Sequence, residues 1–115
     1  MVRVRHDGDV FHATHITGPK HNYLRLKFGN SDPGKPVVTP LPAKSPKAGV
    51  KMLEADDVLK EVLAGLANRN ADLETNYRIE SIGFVVDDTR PINIYRTLTE
   101  KIVDMHHGML LKLSS

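Results

Sequence analysis

The chain has no cysteine and no tryptophan, and only three tyrosines and three phenylalanines among its 115 residues. Without cysteine there is no disulfide, no thiolate zinc or iron–sulfur site and no Cys nucleophile. So few aromatics leave little surface on which nucleic-acid bases can stack. No apolar run approaches the roughly 18 residues that cross a bilayer as a helix, so no membrane partner is expected. The first residues, Val2 to Asp9, lack the apolar core of a signal peptide, and the expected compartment is the cytoplasm. Internal repeats with a period of 20–50 residues are also missing.

What is present is the composition of one globular domain over residues 1–115, with 40% hydrophobic and 26% charged residues. The net charge of +2 conceals a split. Residues 1–52 hold nine Lys/Arg against three Asp/Glu, whereas residues 53–115 hold seven against eleven.

The basic half reads as strands. Val2, Arg3, Val4 and Arg5 alternate apolar and charged, and Asp7-Gly8 suits a two-residue hairpin turn that needs positive φ. That turn pairs Arg5 with Val10 and Val4 with Phe11. A third strand, Tyr23 to Phe28, repeats the alternation. One face collects Val2, Val4, Phe11, Ala13, Leu24, Leu26 and Phe28. The other collects Arg3, Arg5, Val10, His12, Thr14, Tyr23, Arg25 and Lys27, the basic outer face of a sheet buried on one side. Residues 29–52 follow as a loop with five of the seven prolines and with Lys35, Lys44, Lys47 and Lys51. A short edge strand is expected at Pro36–Leu41, where Pro is tolerated.

The acidic half reads as helix, strand, helix. Leu53 to about Arg69 carries Leu59, Val62, Leu63 and Leu66 along one face, flanked by Val58, with acids in its first turn. Asn70 or Asn76 suits the left-handed exit position. Tyr77 to Val86 contains a nearly continuous apolar stretch and reads as a central strand. Asp87 to Pro91 resembles a helix start, with Asp88 or Thr89 as cap. That helix is expected to reach about His107 and stop at Gly108, after which Met109 to Leu113 docks as a strand or beneath a helix. The order β-β-β-loop-α-β-α predicts an α+β fold, an antiparallel sheet with two helices packed on one face.

Motifs for chemistry are few. His6, His12, His15, His21, His106 and His107 show no metal-ligand spacing, and no metal site is assigned. Asp87 and Asp88 at a strand end support only a weak enzyme reading, since helix capping explains them better and no partner acid, base or nucleophile is specified nearby. The segment Gly29 to Gly34 lacks the Lys-Ser/Thr ending of a phosphate loop, and no nucleophile elbow exists. No catalytic or cofactor-binding residue follows, and no cofactor is expected. The expectation is a non-enzymatic binding or regulatory module that meets a protein partner or forms a homo-oligomer, basic sheet against acidic helix. The alternative is a nucleic-acid binder using Arg3, Arg5, His12, Tyr23, Arg25 and Lys27, extended by Lys35, Lys44, Lys47 and Lys51 of the loop.

Overall fold

The structure, a computed structural model, describes residues 2–17, 20–29, 36–41, 53–86 and 93–114. Among these residues five strands form one sheet: β1 (Val2–Asp7), β2 (Val10–Thr17), β3 (Lys20–Phe28), β4 (Val37–Leu41) and β5 (Ile79–Val85), in the order β1-β2-β3-β5-β4. Two helices, α1 (Ala55–Leu73) and α2 (Ile94–Ser114), complete the α+β fold. α2 packs over β1, β2 and β3, and α1 lies beside it on the β4 side. The expected edge strand is β4, which carries Pro40 at the margin, where a missing N–H breaks no ladder. It runs parallel to β5, so the sheet is mixed. A parallel neighbour requires a crossover, and α1 supplies it.

The hairpin register differs from the sequence expectation. Asp7 pairs with Val10 and Arg5 with His12, so the turn residues are Gly8 and Asp9. Gly8 has φ +62°, and Asp9 does not share that sign. Positive φ at the first turn residue alone is the requirement of a type II′ turn, which Gly-X meets. The displacement changes partners but not faces, because each residue keeps its parity along the strand. Phe11 meets Leu26 and Ala13 meets Leu24, and β5 adds Phe84 beside Leu24 and Ile82 beside Leu26. All six are buried beneath the helices.

α1 buries Val58, Val62, Gly65 and Leu66. The stripe is thus centred on Val58, and Leu59 and Leu63 are only partly covered. Gly65 explains the rotation: a Cβ there would lie 2.6 Å from the Arg96 carbonyl oxygen, so the helices approach backbone to backbone at that point. The exit also differs. Glu74, not an asparagine, takes the left-handed position, with φ 56° and its N–H donating to the Asn70 carbonyl. The Asn70 side chain instead laces the next turn. It accepts from the Thr75 hydroxyl (2.8 Å) and the Tyr77 N–H (3.1 Å), and donates to the Tyr77 carbonyl (3.0 Å).

α2 does not stop at Gly108. It continues through Met109 to Ser114, so the apolar tail is more than one further turn of helix, with Leu110 and Leu111 39% and 57% exposed. Glycine mid-helix costs about 1 kcal/mol relative to alanine. Met109, Leu110, Leu111 and Lys112, all good helix formers, outweigh it. His106 and His107 therefore lie inside the helix and not at its C-terminus. The expected cap at Asp87 to Pro91 lies outside the described residues.

Candidate functional site

The face of the sheet opposite the helices carries the residues singled out from the alternation. Arg5, His12, Arg25 and Gly83 form one cross-strand row, and Arg3, Thr14 and Tyr23 form the adjacent one. Lys27 follows, paired with Val10 and Ser81. No described helix covers this face. The six predicted residues are thus brought together. Lys35, Lys44, Lys47, Lys51, Asp87 and Asp88 lie outside the described residues.

Its centre is an aromatic pair. The His12 and Tyr23 rings stack at 5.8 Å and 30°, and the Tyr23 hydroxyl meets His12 Nδ1 at 2.5 Å. Burial and the positive charge of Arg5, with Arg25 behind them and Asp7 opposing, hold His12 below the ordinary imidazole pKa. Burial pushes the Tyr23 phenol up. The pair is consequently neutral near pH 7, and we assign the shared proton to the phenol, donating to Nδ1. Arg25 is placed by what β5 lacks. A Cβ on Gly83 would lie 2.9 Å from Arg25 Nε and 3.0 Å from Nη2, so the guanidinium crosses β5 where the side chain is missing.

The cations differ in how much charge they leave for a ligand. Lys27 lies near both Asp9 (3.9 Å) and Glu80 (3.6 Å), and Arg5 near Asp7 at 3.9 Å between well-exposed groups. Arg3 and Arg25 form no ion pair with another described residue. The acidic surface of α1 is smaller than its sequence suggests. Glu61 accepts from Arg96 (2.9 Å) and Asp72 from Arg69 (3.1 Å), while Arg69 also bridges to Asp104 at 2.7 Å.

A second cluster escaped the sequence reading. At the end of the sheet where β3 stops and β5 begins, His106 stacks on Phe28 at 4.1 Å and 9°, with Tyr77 edge-on to both. Phe11 stands edge-on to the same two rings, and the Tyr77 hydroxyl meets His107 Nδ1 at 2.6 Å. Few aromatics therefore does not mean no aromatic surface, because the fold gathers them. Their positions along the chain share no period, so no local pattern announces the cluster. Among the described residues no three His, Cys, Asp or Glu side chains converge as a metal site.

Compared with family models, curated proteins and solved structures, the chain matches none.

Proposed function

We propose that this protein binds single-stranded nucleic acid on the open face of its sheet. The observation that carries the reading is the convergence of Arg3, Arg5 and Arg25 around the His12–Tyr23 stack on a face that no described helix covers. A twisted sheet face is too broad for a duplex groove. It can, however, hold an extended strand, with phosphates on arginines and a base on an aromatic ring. Arginine offers a planar fork of donors that matches phosphate oxygens. Three phosphate contacts correspond to a log–log salt slope of about −2, or roughly 20-fold weaker binding between about 50 and 200 mM salt.

The test is fluorescence anisotropy with a labelled mixed-sequence 12-mer, single-stranded and duplex, across that salt range. Supporting results are tighter binding of the single strand, the predicted slope, and its loss in Arg3→Glu/Arg25→Glu. No binding at low salt ends the proposal.

Leu110 and Leu111, exposed at the end of α2, favour a second reading as a module that meets a protein partner or a second copy. Light scattering after size exclusion tests the self-association branch, and a concentration-independent monomer counts against it. Pairing through the acidic helix is less supported, since Glu61 and Asp72 already hold arginines.

A further inference from the structure

We infer that the cleft at the end of the sheet, lined by Phe28, Gly29, Asn76, Tyr77, Arg78 and His106, is a small-molecule site for a planar aromatic ring carrying one anionic group. The cleft is open to solvent and has a volume of about 520 Å³. It lies beside the aromatic cluster beneath α2, where His106 packs, and not on the open arginine face.

Three features set the ligand class. Phe28 of β3, Tyr77 of the α1–β5 connection and His106 of α2 line the cleft; Phe28 and His106 cover one face of each other, so a flat guest meets their outer faces and the ring of Tyr77. Arg78 is the formally charged side chain of the lining and is exposed, so an anionic substituent has a forked donor to meet, and the Glu80 carboxylate that lies against Gly29 is offset by Lys27 at 3.6 Å. Asn76 adds an amide able to donate and to accept.

The lining is also pre-organised. The Asn70 side chain fixes the backbone at Tyr77 on both its N–H and its carbonyl, and the Gly29 N–H donates to the Arg78 carbonyl at 3.1 Å. His107 holds the Tyr77 hydroxyl, which keeps the phenol ring from turning out of the wall. A site held in this way loses little ordering entropy on binding.

Ring plus anion describes both a nucleoside monophosphate and an aromatic carboxylic acid. The experiment is an amide-resolved NMR titration of the full chain with adenosine 5′-monophosphate, with 4-hydroxybenzoate and, as the uncharged control, with adenosine. Saturable shifts centred on Gly29, Asn76, Arg78 and His106, with Kd of about 1 mM or tighter for at least one anion, support the inference. The anion that binds identifies the source, and both binding supports the shared chemistry. Arg78→Gln should weaken the anionic ligand by about tenfold and leave adenosine unchanged. Three outcomes overturn the site: no saturation by either anion, shifts centred on Tyr23 and Arg25, or an unchanged affinity in Arg78→Gln. The Arg3→Glu/Arg25→Glu protein should bind these ligands normally, so failure of oligonucleotide binding and failure of the cleft are read separately.

Discussion

The guanidinium of Arg25 occupies the space that a side chain at Gly83 would fill, with Nε 2.9 Å from the position of the absent Cβ. A methyl group there must displace the guanidinium while leaving its charge in the protein. Gly83→Ala should therefore keep the fold, because the clash is with the far end of a flexible side chain and alanine suits a strand better than glycine. Oligonucleotide affinity should fall about three- to tenfold, and the salt slope should lose about 0.7, the share of one phosphate. Anisotropy together with thermal melting checks both halves. Unchanged affinity in a folded variant would show that Arg25 does not contact the strand from this position.

Gly65 is the opposite case. Its Cβ would meet the Arg96 carbonyl at 2.6 Å and the Thr99 Cβ at 3.0 Å, and backbone cannot swing aside. Gly65→Ala should force α1 and α2 apart and cost about 1–3 kcal/mol, as overpacking does. Urea denaturation measures it, and a neutral result would mean that the helices have room to separate.

Gly108 distinguishes a helix interior from a helix end. A Cβ there meets nothing within 4 Å, and the residue lies within α2. Gly108→Ala should stabilise the protein by up to about 1 kcal/mol. Had Gly108 been the left-handed residue ending the helix, the same change would destabilise it. The sign of the shift in melting temperature decides.

Two histidines set a pH dependence. Burial holds His106 below the ordinary imidazole pKa, with His107 adding to it, and His12 is lowered chiefly by burial and by Arg5. As pH falls below about 6.5 the unfolded chain takes up protons at these positions before the folded one does. The stability they contribute is complete above about 6.5 and is lost as the pH falls through the folded pKa values. Urea midpoints should be level between pH 7 and 7.5 and lower at pH 5.5. The imidazole resonances of His12 and His106 should titrate below 6.5, and a midpoint above it would contradict the account.

The sequence alone determined the faces of the sheet. Alternation has a period of two residues, so Arg3, Arg5, His12, Tyr23, Arg25 and Lys27 were assignable to one surface before any pairing was known. The hairpin shows why: the turn moved to Gly8-Asp9 and every partner changed, yet parity kept each side chain on its face. The two helices, the central strand and the proline-bearing edge strand were legible for the same reason, since periodicity, capping and proline act locally.

Only the tertiary structure decided what depends on distant approach. Gly65 centred the α1 stripe on Val58 because α2 comes close there, and nothing within α1 encodes that neighbour. The helix ran past Gly108 because one unfavourable residue is outweighed by the turns around it. Arg25 found its place over a glycine 58 positions away, on a strand that pairs with its own. Phe28, Tyr77 and His106 became one cleft although they come from a strand end, a turn and a helix. Local chemistry sets which way a side chain faces along its element, but which other side chains it meets there is set by how the elements pack.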